Sequence, residues 1–126
     1  MSEIFSPDAL RIPEARIDHG KGLLVNWLRQ ADCRNLRWLA LFGSFWSPEI
    51  HRIPGDIDIA AYVLHFDKWM EEDIANLRGV LSQFGLPVEI HSLYPQSFMI
   101  RNVVSNYQTI LRDAETFYGD RPTWLS

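Results

Sequence analysis

Leu-Ala-Leu-Phe-Gly-Ser at residues 39–44 and Gly-Asp-Ile-Asp-Ile-Ala-Ala-Tyr at residues 55–62 are the two segments that decide the fold. The continuous apolar run at residues 38–42 is typical of a buried central strand, and the alternation in the second segment predicts another strand. Gly43 lets the backbone approach a ligand, and Ser44 offers a hydroxyl group and an amide. The sequence therefore predicts a strand, a sharp turn suited to a phosphate, and a second strand.

Two carboxylates share one face of the second predicted strand. A period of two places Asp56 and Asp58 on one side and Ile57 and Ile59 on the other. Such a pair repels itself unless a cation or ligand offsets the charge, and Mg²⁺ suits it best because Mg²⁺ prefers oxygen ligands and substrate phosphates. Taken alone, Asp-x-Asp is more often a turn followed by a solvent-facing acid. The Gly-Ser turn upstream favours the metal interpretation.

The composition predicts one soluble globular domain. The chain has 126 residues, of which 47% are hydrophobic, enough for a sizeable core. We expect an N-terminal arm at residues 1–17, a domain at 18–119 and a tail at 120–126. A net charge of −4 argues against binding of extended nucleic acid. Cys33 is the single cysteine, so a reducing cytoplasm is the default compartment, and no segment resembles a secretion signal or a membrane span.

The remaining elements follow from apolar periodicity. Spacings of three and four predict helices at residues 18–32, 67–84 and 98–111, the second ending at Gly85. Strands are expected at 88–93 and 116–118. The resulting fold class is α/β, with a mixed sheet and helices mainly on one face. In the third strand Val88 and Ile90 face one side, and Glu89 and His91 face the other. Glu89 is therefore a candidate third carboxylate beside Asp56 and Asp58. His91 is either a proton-transfer group or an ordinary surface residue.

The loop at residues 45–54 is the least expected part of the chain. We expect a short helical turn at Ser44, whose free amides would face a phosphate. His51 or Arg52 could supply a cation to that phosphate, or the loop could simply be solvated. Phe45 and Trp46 either cap the core or contact a partner.

Gly43-Ser44, followed after eleven intervening residues by Asp56 and Asp58, resembles the signature of the DNA polymerase beta-like nucleotidyltransferase superfamily. The resemblance is greatest to its minimal nucleotidyltransferase branch and covers residues 18–119. Three departures stand out. The loop is one residue longer than the usual pattern, it lacks the arginine that many small members carry after Gly-Ser, and Glu89 stands where most have aspartate.

The resemblance implies a magnesium-dependent transfer of a nucleoside monophosphate from a nucleoside triphosphate to a hydroxyl group. Gly43 and Ser44 would bind the β and γ phosphates, and Asp56, Asp58 and Glu89 would hold Mg²⁺ and carry the catalysis. Because the chain is short, the acceptor would be supplied by another protein or by a second copy. In the minimal branch that partner is commonly a HEPN protein, with the transferase as the antitoxin of a toxin–antitoxin pair.

Two other interpretations compete with the enzyme. One is a nucleotidyltransferase fold with weak or no catalysis that binds proteins, which the missing arginine and a display of Phe45 and Trp46 would support. The other is a small α/β domain without nucleotide chemistry, which requires Glu89 to point away from Asp56 and Asp58. The enzyme is favoured because unneutralised carboxylates close together cost folding energy.

Overall fold

A computed structural model describes residues 10–31, 33–49, 53–65, 68–94 and 111–123 of the chain, without the side chains of residues 33, 68 and 69. The main elements are α1 (Pro13–Gln30), β1 (Leu36–Phe42), β2 (Ile57–Val63), α2 (Lys68–Leu81), β3 (Val88–Leu93) and β4 (Glu115–Gly119). Short 3₁₀ helices occupy Cys33–Asn35, Ser44–Trp46 and Ser82–Phe84. Apart from Leu111, the predicted helix at 98–111 lies outside the described residues, as do residues 1–9 of the predicted arm and residues 124–126 of the predicted tail.

The four strands form one mixed sheet in the order β3-β2-β1-β4. β1 is antiparallel to both β2 and β4, and β2 is parallel to β3. The two central strands are strongly apolar, and each contributes residues to the cores on both faces of the sheet. The predicted α/β class with a mixed sheet is confirmed.

Both described long helices pack on the same face of the sheet, as predicted. Their apolar stripes meet alternate residues of β1 and β2 in one core, which includes Leu24, Trp27, Leu39, Leu41, Ile57, Ile59, Ile74 and Leu77. The opposite face has a smaller core of Trp38, Ala40, Ala60, Leu93, Leu111 and Ala114. The period of two thus divides each central strand between two cores. None of the described helices has the length and apolar character needed to cross a membrane.

α1 begins at Pro13, five residues before the predicted start at Asp18. Proline is well tolerated in the first helical turn because its missing N–H would have no partner there, and Glu14 complements the helix dipole. Residues 13–17 are therefore helical rather than extended. The helix is fixed to α2 through Trp27, whose Nε1 donates a hydrogen bond to the Asp73 carbonyl oxygen at 2.9 Å.

Candidate functional site

The parallel pairing of β2 and β3 brings together the acids that the sequence placed on separate strands. Asp58 is in register with Glu89, and Ala60 is in register with His91. His91 Nε2 lies 3.5 Å from Asp58 Oδ1 and 3.7 Å from Glu89 Oε2. One donor atom from each of these three residues falls within 4.8 Å of the others. Glu89 thus points toward Asp58, contrary to the requirement of the interpretation without nucleotide chemistry.

Asp58 is the electrostatic centre of this group. Burial, followed by the charge of Asp56, raises the pKa of Asp58 to about 6, whereas His91 acts in the opposite direction. Asp56 and Glu89 both lie within hydrogen-bonding reach of the Asp58 carboxyl group when that group is protonated. Only 14% of the Asp58 side chain is exposed, against 56% for Glu89. A bound divalent cation would offset the repulsion among these carboxylates.

Gly43 allows the end of β1 to approach Asp58. Its φ of +86° and ψ of 177° define a backbone region that is essentially restricted to glycine. A Cβ atom at this position would lie 2.6 Å from Asp58 Oδ2. Glycine at this position therefore permits the turn and also leaves room for the Asp58 carboxylate. An open cleft of about 350 Å³ adjoins it, lined by Leu41, Phe42, Gly43, Trp46, Ser47, Asp113 and Glu115.

Gly43→Ala is expected to lower the free energy of unfolding by about 1–3 kcal/mol, through backbone strain and the contact with Asp58. Divalent-cation affinity should fall as well, because the Asp58 carboxylate must move. Gly22→Ala is the matched control, since a Cβ at Gly22 within α1 meets nothing within 4 Å and should stabilise the chain by about 0.5–1 kcal/mol. Urea denaturation and calorimetry measure both effects, and equal behaviour of the two variants would contradict the role given to Gly43.

The loop after Gly43 turns its aromatic rings inward. The expected helical turn is present as the 3₁₀ helix Ser44–Trp46, but Phe45 is fully buried and Trp46 is only 6% exposed. Trp46 Nε1 donates to the Asp58 carbonyl oxygen at 3.0 Å, and the Phe45 ring packs edge-on against Phe84. The interpretation that these two rings are displayed to a partner is therefore wrong, and they cap the core.

Arg16 explains how the loop can be buried. Its side chain is fully buried, and its guanidinium group donates to the carbonyl oxygens of Phe45 at 2.8 Å, Ser44 at 3.0 Å and Ser47 at 3.2 Å. It also donates to the Leu10 carbonyl oxygen at 2.6 Å. Buried carbonyl groups need such partners, so a residue of α1 holds the loop that leads from Gly43.

Gly20 lies one helical turn after Arg16 and on the same face of α1. A Cβ there would come within 2.9 Å of the Trp46 ring and 3.2 Å of the Phe45 ring. Arg16 and Gly20 thus form a receiving surface for the loop. The predicted arm at residues 1–17 does not include this surface, because it leaves Arg16 outside the helix. Proline at position 13 followed by Glu14 is the sequence signal that would have extended the helix to include Arg16.

The predicted site residues occupy one end of the two central strands and the adjoining edge strand. Gly43 and Ser44 follow β1, Asp56 immediately precedes β2, and Asp58 and Glu89 are the second residues of β2 and β3. The structure also places His91 beside Asp58 and Glu89. The sequence left open whether His91 is a proton-transfer group or an ordinary surface residue. His51 and Arg52, the candidate cations, lie outside the described residues.

The fold is nucleotidyltransferase-like, with a four-stranded mixed sheet and two described long helices. No protein-family profile matches the chain, and no curated protein does. Several solved structures do match it. One is a toxin–antitoxin MntA–HpeT variant with two aspartates changed to glutamate. Its sequence is 18% identical, the match covers 80% of this chain and 74% of that chain, and the TM-score is 0.53. A toxin–antitoxin structure with AMP-PNP is 19% identical over the same shares, with a TM-score of 0.52. At these identities the likeness shows the fold alone.

Proposed function

We propose that the protein is a divalent-metal-dependent nucleotidyltransferase that transfers a nucleoside monophosphate from a nucleoside triphosphate to a hydroxyl group of a protein or small acceptor. The observation that carries the proposal is the convergence of Asp56, Asp58 and Glu89 beside the glycine turn at Gly43. Carboxylates held this close, one of them largely buried, cost free energy without a cation. Their oxygen atoms form the donor set that Mg²⁺ prefers.

Mg²⁺, when bound, would neutralise the carboxylates and the triphosphate and stabilise the charge that develops during transfer. Asp56 and Asp58 would hold the ion. The Gly43 backbone and Ser44 would bind the terminal phosphates, and the cleft beside Gly43 offers room for the rest of a nucleotide. Glu89, the more exposed acid, would help to hold the ion through one carboxylate oxygen and would accept the proton of the acceptor hydroxyl on the other. The hydroxyl oxygen would then bond to the α phosphorus, and the bond to pyrophosphate would break.

A protein partner is the second part of the proposal. The similar solved structures are toxin–antitoxin structures, one of them with AMP-PNP, so we propose that this chain acts as the antitoxin of a HEPN-type protein. A second copy of the chain is the alternative source of the acceptor. The competing role as a catalytically weak binding module loses one of its supports, because Phe45 and Trp46 are buried and do not form a contact surface.

Calorimetric titration with each nucleoside triphosphate, with and without Mg²⁺, tests the proposal without knowledge of the acceptor. We expect binding that requires Mg²⁺ and that is lost in both Asp56→Asn and Asp58→Asn. Asp18→Asn, which changes an exposed acid on α1, is the control and should bind as the unmodified protein does. Binding that survives both site variants would contradict the metal assignment, and a lack of binding by the unmodified protein would contradict the nucleotide site itself.

A further inference from the structure

His91 places a nitrogen donor among the carboxylates of the site. Its ring belongs to the same face as Asp58 and Glu89 because it lies two residues after Glu89 on β3. Only 22% of its side chain is exposed, and Nε2 is a buried atom. This face of the sheet also carries the smaller core, since Ala60 is in register with His91 and Leu93 lies two residues further along β3. The ring is therefore partly covered, and its Nε2 lies beside the acid cluster.

The distances between the donor atoms are compatible with ligands of one ion. Nε2 is 3.5 Å from Asp58 Oδ1 and 3.7 Å from Glu89 Oε2, and in the metal-free protein its interaction with Asp58 partly offsets the effect of burial, which raises the pKa of that carboxyl group. Two ligand atoms bound to the same small cation, each at about 2.0–2.3 Å, are themselves about 3–4 Å apart. The two distances from Nε2 fall within this range, and one donor atom from each of the three residues lies within 4.8 Å of the others, so the three groups can approach one cation.

The imidazole ring also packs against an aromatic side chain at the end of β1. Phe42 packs against it with a centroid distance of 5.1 Å and an interplanar angle of 53°. Phe42 is itself fixed, because it pairs with Asp58 across β1 and β2. Two central strands thus position the ring, and a ligand held before binding loses less conformational freedom when the ion arrives.

We propose that His91 Nε2 is a metal ligand together with the carboxylates of Asp58 and Glu89, and that this nitrogen makes the site select a first-row transition-metal ion such as Mn²⁺ over Mg²⁺. Imidazole suits transition metals, whereas Mg²⁺ is a hard cation that favours oxygen. The inference rests on the proposed function, because it concerns the same metal site. It adds the class of ion and a ligand that lies outside the three acids.

The test compares Mn²⁺ and Mg²⁺ affinity by calorimetry in the nucleotide-free protein and in His91→Gln. We expect the unmodified protein to bind Mn²⁺ more tightly than Mg²⁺, and His91→Gln to lose roughly 10-fold or more in Mn²⁺ affinity while Mg²⁺ affinity changes by only about threefold or less. Co²⁺ provides an independent readout, since the loss of a nitrogen ligand should alter its visible absorption spectrum. His65→Gln, an exposed histidine beyond the far end of β2, should change none of these values.

His91→Asp gives a second variant that keeps a metal-binding side chain at this position. It should retain Mg²⁺ binding and lower the ratio of Mn²⁺ affinity to Mg²⁺ affinity. Unchanged Mn²⁺ affinity in His91→Gln, or an unchanged affinity ratio in His91→Asp, would overturn the inference and leave the proposed function standing. If the unmodified protein binds neither ion, alone or with a nucleoside triphosphate, the inference and the proposed function both fail.

Discussion

Arg16→Met is expected to lower the free energy of unfolding by about 3–5 kcal/mol, although Arg16 lies on α1 and outside the acid cluster. The guanidinium group is fully buried and donates to four carbonyl oxygens, three of them in the loop after Gly43. Methionine has a similar length and fills much of the same space, so the change removes mainly the hydrogen bonds. Each carbonyl left without a partner in the interior costs about 1–3 kcal/mol, and the contributions overlap because the groups are neighbours.

Arg16→Lys separates the charge from the geometry of the arginine side chain. Lysine keeps the positive charge but has a single ammonium group, which cannot reach acceptors on both sides as the planar guanidinium does. We expect Arg16→Lys to lower the free energy of unfolding, but by less than Arg16→Met does. Arg29→Met, at an exposed position of the same helix, should change stability by about 0.5 kcal/mol or less. Urea denaturation provides all three values, and a loss in Arg16→Met no larger than that of Arg29→Met would contradict the proposed support of the loop.

The sequence predicted those features that depend on local periodicity. Alternation along residues 57–63 and 88–93 assigned Asp58 and Glu89 to the polar positions of their strands, and the structure keeps both assignments. Apolar spacing identified the helix at 67–84 and its end at Gly85, which adopts a left-handed conformation with φ of +72°. These features could be predicted because each follows from neighbours within a few residues.

The features that were missed depend on contacts between distant segments. The burial of Phe45 and Trp46 requires Arg16 and Gly20, which lie more than twenty residues away in the chain. A pair of aromatic residues in a loop has no local pattern that distinguishes a core position from a contact surface. The approach of His91 to Asp58 likewise depends on the register between β2 and β3, and the sequence of either strand alone does not fix that register.

Asp58→Asn is expected to have opposite effects on stability and on metal binding. Near neutral pH and without divalent cations, it should raise the free energy of unfolding by about 2 kcal/mol, because it removes a carboxylate whose pKa is raised to about 6 by burial and by the charge of Asp56. The same change removes a charged ligand, so Mg²⁺ and Mn²⁺ affinity should fall by roughly 100-fold or more. Asp18→Asn again provides the control with an exposed acid.

The pH dependence of the free energy of unfolding tests independently whether the charged Asp58 carboxylate destabilises the fold. An aspartate whose folded-state pKa lies above its unfolded value of 3.8 binds more protons in the folded state, so the stability of the metal-free protein should fall as pH rises from about 4 to about 6. Asp58→Asn should remove the part of that slope that comes from Asp58, and saturating Mn²⁺ should oppose the slope only where Asp58 is present. A carboxylate kept for structure would behave in the opposite way, since its replacement would destabilise the fold at neutral pH. A loss of stability in Asp58→Asn would therefore contradict the electrostatic cost assigned to this carboxylate, and unchanged cation affinity would contradict its role as a ligand, whereas a gain accompanied by lost cation binding is the result expected of a group that the fold holds at a cost for its ligand.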